Sequence, residues 1–293
     1  MTKSGLSGLL RSAFYGVADR IVDSNTVLKG KGTPAWLPVI RTLRYRALGL
    51  GLPLSANERR LAAFRNCHAG RRAFIIGNGP SLNALDLRLL KNEITFGVNG
   101  IYLNRERMGF LPTHYVVEDT HVAEDRADEI NALHGTHKWF GNYLRYCLHE
   151  GPQVNWLNVR YRYDDYAGFP HFSRDAGRML WVGGTVSYVN MQLAYYMGIR
   201  AVYLIGFDHN YVIPADAEVA GDTITSHSDD PNHFHPDYFG KGYRWHDPMV
   251  ERMEKSYVRA KAEYQRVERR IYNATAGGHL EVFPRVAYES LFT

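Results

Sequence analysis

The residues best suited to chemistry stand at the ends of short apolar runs. Ala73-Phe74-Ile75-Ile76 ends abruptly in Gly77-Asn78-Gly79-Pro80-Ser81. The glycines permit backbone angles that other residues resist and let a ligand come close. Pro80 suits the first turn of a helix, and free amides there, with Ser81, can bind a phosphate. Asn78 offers both a donor and an acceptor to a ribose or base. The run is neither a Walker loop nor GxGxxG, and a well-capped strand-to-helix turn is the competing reading. Asn99, before Gly100, is a second such carboxamide, or else a turn residue that tolerates left-handed geometry. Glu118-Asp119 can meet a ribose hydroxyl, a substrate hydroxyl or a metal.

Two later clusters add to these. Gly183-Gly184-Thr185-Val186-Ser187 opens a helical run and is a second candidate anion site. Asp208, after Gly206-Phe207, either faces the same ligand or caps the next loop. His246 lies beside Asp247 and Pro248, at a helix start where it can titrate near neutrality and act as a general base. Arg244 and Lys241 supply cations for a phosphate or carboxylate. The long polar stretch 211–243, with His227, His233 and His235, has few helix or strand signals and is expected to be a substrate lid.

The elements that must position these residues alternate. Strands are expected at 73–76, 94–98, 115–117, 201–205 and 270–272, with helices at 82–90, 186–197 and 248–269. That order predicts an α/β Rossmann-like, mainly parallel sheet covered on both faces, whose strand ends frame a ligand crevice. A catalytic domain over 71–293 follows a helical extension over 1–70, with helices expected near 6–21, 38–48 and 56–67. Ser55 and Glu58 form the cap of the third.

Composition sets the outer limits. Of 293 residues, 45% are hydrophobic and 22% charged, so the chain can bury a core and wholesale disorder is excluded. Two cysteines exclude a disulfide scaffold. No run reaches the roughly 18 apolar residues of a membrane span. The first twenty residues make a poor secretory signal, so a cytoplasmic location is expected. Residues 1–72 carry a balance of +10 against a total of +5. A basic leader on an acidic body suits an anionic membrane surface or an acidic partner rather than nucleic acid.

The strand with GNGPSL, the strand ending VNG, GGTVS, YLIGFD, and RWHDP before a helix and YNAT together resemble the MptE-like family. That family includes Maf flagellin glycosyltransferases and an archaeal pterin diphosphokinase, and the order of parts is similar to small bacterial sialyltransferases. The resemblance covers about 71–293. It implies that Asn78 and Ser81, with Gly77 and Gly79, hold the CMP part of a donor, and that Asn99 contacts its ribose or phosphate, with Asp119 nearby. It also implies that Gly184, Thr185 and Ser187 lie by the donor sugar, with Asp208 and Arg244, and that His246 is the catalytic base. The sialyltransferases place an arginine before the GGT turn where this chain has Val182-Gly183. A sialic-acid carboxylate would then need Arg178 or Arg244, or the sugar is a different one.

The expected function is transfer, with inversion, of a nonulosonate or related acidic sugar from a CMP-activated donor to a bacterial surface glycan or glycolipid. It needs no cofactor or metal, and a homo-oligomer is left open. The alternative is pyrophosphate transfer from ATP to a hydroxymethylpterin, for which Glu118, Asp119 and Asp208 would hold magnesium. A third reading is a non-catalytic nucleotide-binding subunit.

Overall fold

The computed structural model describes residues 37–160 and 168–292, with side chains from residue 43. The helix expected near 6–21 lies outside the described residues. Helix α1 (Leu37–Gly49) and α2 (Ala56–Ala63) form the described part of the extension. The α2 cap is as expected: Ser55 accepts from the Glu58 amide while the Glu58 carboxylate accepts from the Ser55 amide.

Among the described residues twelve strands follow, seven of them in one parallel sheet. These are β1 (Arg72–Ile76), β2 (Ile94–Val98), β3 (His114–Val117), β4 (His137–Gly141), β5 (Val154–Leu157), β8 (Ala201–Ile205) and β12 (Arg270–Asn273). Their spatial order is β5-β4-β3-β2-β1-β8-β12. Short β6 (Val159–Arg160) and β7 (Leu180–Trp181) pair separately, and β9 (Glu218–Ala220), β10 (Thr223–Thr225) and β11 (Arg244–His246) make a small antiparallel sheet. The expected Rossmann-like parallel sheet is therefore present. Alternation along β1 divides the core: Ala73 and Ile75 face one layer, Phe74 and Ile76 the other. The first layer holds α6 (Val186–Tyr196), in which every residue is buried, and α7 (Val250–Gln265). The second holds α3 (Arg105–Met108), α4 (Thr120–Asp125), α5 (Ala127–Ala132) and several 3₁₀ turns.

Three expectations need correction. The helix expected at 82–90 is two 3₁₀ turns, Pro80–Ala84 and Leu87–Leu90, separated where Asp86 caps the second turn through the Arg88 amide. Strands β4 and β5 were not expected, because Lys138 and Asn155 interrupt their apolar pattern. Lys138 is accommodated because its ammonium donates to the carbonyls of Ile130 and Asn131. Segment 211–243 is not merely a polar loop. It contains β9 and β10, and its Ile224, Phe234 and Tyr238 are buried.

Candidate functional site

The chain leaves β1 through β2 to β5 on one side and returns through α6 to β8 on the other. The carboxyl ends of β1 and β8 therefore flank the switch point, where open parallel sheets place a ligand crevice. A cavity of about 110 Å³ lies there, lined by Gly77, Asn78, Gly79, Asn99, Thr185, Ser187 and Asp208 among others. Seven of the residues singled out in the sequence thus share one wall. Tyr211, His209, His233, Tyr238 and Tyr257 also line it. Tyr211, His233 and Tyr238 belong to the segment 211–243 expected to form a substrate lid, whereas sequence reasoning gave His209 and Tyr257 no role, although His209 directly follows Asp208.

The local bonding refines what each group can offer. The Asn78 amide nitrogen donates to the Val98 carbonyl (3.3 Å) and the Tyr238 hydroxyl (2.7 Å). Its carboxamide oxygen is buried without a partner, as is that of Asn99. Two orphaned acceptors in one cavity wall leave unsatisfied polar groups that a ligand's N–H or O–H groups would satisfy. Asn99 also adopts φ of 49°, so it serves the left-handed turn as well. The Tyr115 hydroxyl donates to its carbonyl.

Ser81 is a correction. Its amide (3.1 Å) and hydroxyl (2.6 Å) both donate to the Asp208 carboxylate, and it does not line the cavity. The groups expected to bind a phosphate are spent on the chain's own anion. Glycines 77 and 79 serve that contact: a Cβ at Gly77 would stand 2.4 Å from the Gly206 carbonyl oxygen, and one at Gly79 1.8 Å from Asp208 Oδ2. The α6 start remains, with Thr185 Oγ accepting from the Ser187 amide (3.3 Å) and the positive end of the helix dipole at the wall. Gly184 (φ +82°) packs against Arg252 rather than the cavity.

A second cluster stands two strands along the same rim. Asp119, following β3, caps α4 by accepting from the amides of His121 (2.8 Å) and Val122 (3.1 Å). Its other oxygen pairs with His246 Nδ1 at 2.8 Å. The His246 ring stacks on that of His121 at 4.3 Å, whose Nε2 meets Thr223 Oγ at 3.1 Å. The hydrogen bond with Asp119 raises the His246 pKa above the usual histidine value, against the opposing effect of burial. Burial would raise Asp119, but the bond and charge of His246 and the Val122 amide hold it below the usual carboxylate range. Burial, then the Asp119 charge, pushes Glu118 up to about 7, and the Tyr143 hydroxyl contacts both its carbonyl and its carboxyl group.

Neither His246 nor Asp119 lines the cavity, so the rim carries two neighbouring polar clusters rather than one pocket. Residues 234–238 join them. The Phe234 amide donates to the Asn78 carbonyl (2.8 Å), and Arg126, at the end of α4, donates to the Tyr238 carbonyl (2.8 Å).

The expected cations are elsewhere. The Arg244 guanidinium is paired with Asp125 and Glu124, which hold its pKa above the usual arginine value despite burial. Arg178 covers the Tyr45 ring at 3.8 Å, beside α1. Neither reaches the cavity, so neither is placed to hold a sugar carboxylate there. The rim carboxylates fit magnesium poorly, because Asp119 is already engaged in three hydrogen bonds and Asp208 in two. Among the described residues no group of three histidine, cysteine or acidic side chains is placed to hold a metal.

A family model described as 6-hydroxymethylpterin diphosphokinase MptE-like matches residues 54–213, more than half of the chain. The chain belongs to the MptE-like family. The match takes in β1 to β8 with most of the cavity wall and Asp119, and stops before Tyr238 and His246. Among solved structures, the MAf glycosyltransferase from Magnetospirillum magneticum AMB-1 is similar with a TM-score of 0.47 and 17% identity. That similarity covers 88% of this MptE-like chain and 43% of the other, so this chain spans less than half of that protein's length. No curated protein matches. Among the described residues, no helix is long and apolar enough to cross a membrane.

Proposed function

We propose that this MptE-like protein is a glycosyltransferase that moves a sugar from a nucleotide-activated donor, a CMP-sugar above all, to a hydroxyl acceptor. The observation that carries the reading is the Asp119–His246 pair beside the switch-point cavity. Asp119 fixes one ring nitrogen of His246 at 2.8 Å and leaves Nε2 as the basic atom. In the proposed displacement, Nε2 takes the acceptor hydroxyl proton as its oxygen attacks the anomeric carbon. The bond from that carbon to the phosphate breaks on the opposite face, which inverts the centre. The α6 amino terminus favours the departing phosphate, and the free carboxamide oxygens of Asn78 and Asn99 accept from the nucleoside.

The test separates the two clusters. His246→Ala should lower turnover by about 10²–10⁴-fold, the usual range for base catalysis, with nucleotide affinity unchanged. Asn78→Ala should weaken the affinity. A thermal-shift panel of CMP, UDP, GDP, ADP and ATP, each with and without magnesium, names the donor class. An undiminished rate in His246→Ala removes this mechanism. The family model's description favours a second reading, pyrophosphate transfer to a hydroxymethylpterin. Stabilisation by ATP only with magnesium would favour it, against a carboxylate set poorly arranged for that ion.

A further inference from the structure

Exposed leucines gather at one place on this molecule. Thirteen large hydrophobic side chains are exposed among the described residues, and five of them fall within residues 43–54: Leu43, Tyr45, Leu50, Leu52 and Leu54. Scattered apolar residues need no explanation, whereas a cluster this dense marks an interaction surface. It comprises the carboxyl half of α1 and the loop beyond it. Leu50 is 78% exposed. At Gly51, between Leu50 and Leu52, an added Cβ would meet nothing within 4 Å, so the tip stands clear of the body.

We infer that this surface docks on an anionic lipid bilayer. Its charge selects the partner: no Asp or Glu occurs from Ser24 to Asn57, a stretch that holds Lys29, Lys31, Arg41, Arg44 and Arg46. Arg46 is exposed in the patch itself. Arg44 instead ties α1 to the α2 cap through Glu58 and Ser55, and Asn57 of α2 bonds to the backbone of Trp156 in β5, which fixes the surface in place. A second copy of the same face would set arginine against arginine, while an anionic headgroup layer accepts both the cations and the leucines. The backbone is prepared for low polarity as well. The amides of Leu50, Gly51 and Leu52 donate to the carbonyls of Arg46, Leu48 and Ala47 at 3.0–3.2 Å, so the tip carries no unpaired donor into the headgroup boundary. The inference does not depend on the catalytic reading.

The experiment is co-sedimentation of the full chain with vesicles of phosphatidylcholine, alone or with phosphatidylglycerol. The wild type should pellet with the anionic vesicles and be released by added salt. Leu50→Ser/Leu52→Ser leaves every charge in place, including those of residues 1–36, and should weaken partitioning by about tenfold or more. Arg46→Glu should weaken it too, and Val258→Ser, at an exposed valine on α7, should not. Melting curves confirm that each variant is folded. Failure of the wild type to pellet, or wild-type pelleting by the leucine variant, would overturn the inference. Self-association abolished by the leucine variant would instead assign the face to a second copy and overturn it equally.

Discussion

At the scale of single residues, Asp119 is held at both of its carboxylate oxygens. One oxygen accepts from two α4 amides and the other from His246, so the carboxylate cannot rotate without breaking a cap. In the proposed mechanism Asp119 therefore acts as a positioning residue for His246. A base works only when neutral, so activity should rise with pH through the His246 pKa, and Asp119 places that limb above the ordinary histidine value. Asp119→Asn should move the limb back down and lower kcat more than it weakens nucleotide affinity. A pH–rate profile of kcat/KM checks this; an unmoved limb would contradict it. Linkage gives the pair a stability window. The raised histidine stabilises fully below its unfolded value and loses this as pH rises through the folded one. The lowered carboxylate stabilises above its unfolded value and loses this in acid. Both residues were legible as polar groups of the rim. Their pairing was not, because 127 positions separate them in the chain.

At the scale of elements, the two strand-end turns after β1 and β8 are built as one unit. The Gly77 amide donates to the Ile205 carbonyl (2.8 Å) and the Gly79 amide to the Gly206 carbonyl (3.0 Å). The Gly77 Cα approaches so closely that a methyl group would overlap backbone, which cannot yield as a flexible side chain can. Gly77→Ala should therefore destabilise the fold by about 1–3 kcal/mol, the cost of overpacking. It should also weaken nucleotide binding, by moving Asn78. Urea unfolding measures the first and calorimetry the second; an unchanged midpoint would mean that the turns separate freely. A tight glycine turn at this strand end was readable from GNGPS alone. Its cause was not, since the neighbour that excludes a side chain arrives 129 residues later, at Gly206. The apolar runs of β1, β2 and β8 announced those strands, and α6 was legible as the helix following GGT. Strands β4 and β5 were hidden because each carries a polar side chain that finds its partner only in the folded chain.

At the scale of the whole molecule, the sheet joins the rim to a histidine cluster at the opposite strand ends. His114 opens β3, the strand that ends at Glu118-Asp119, and is fully buried. Trp139 donates its indole N–H to His114 Nδ1 (3.2 Å). A neutral His114 then carries its proton on Nε2, which meets His68 Nε2 at 3.2 Å. The His137 ring stacks on it at 5.6 Å. Burial, then the charges of His68 and His137, pushes the His114 pKa well below the usual histidine value. Burial lowers His68 and His137 too. For a lowered group, the stabilisation is present above the unfolded value and lost as pH falls. The unfolded chain takes up protons that the folded chain refuses. Each histidine that stays neutral should thus cost about 1.4 kcal/mol per pH unit below the ordinary histidine value of about 6.5. Denaturant unfolding across that range should show stability falling with acid. His114→Gln, which keeps an acceptor for Trp139 but cannot titrate, should flatten the slope by about one proton; equal slopes would place the acid sensitivity elsewhere.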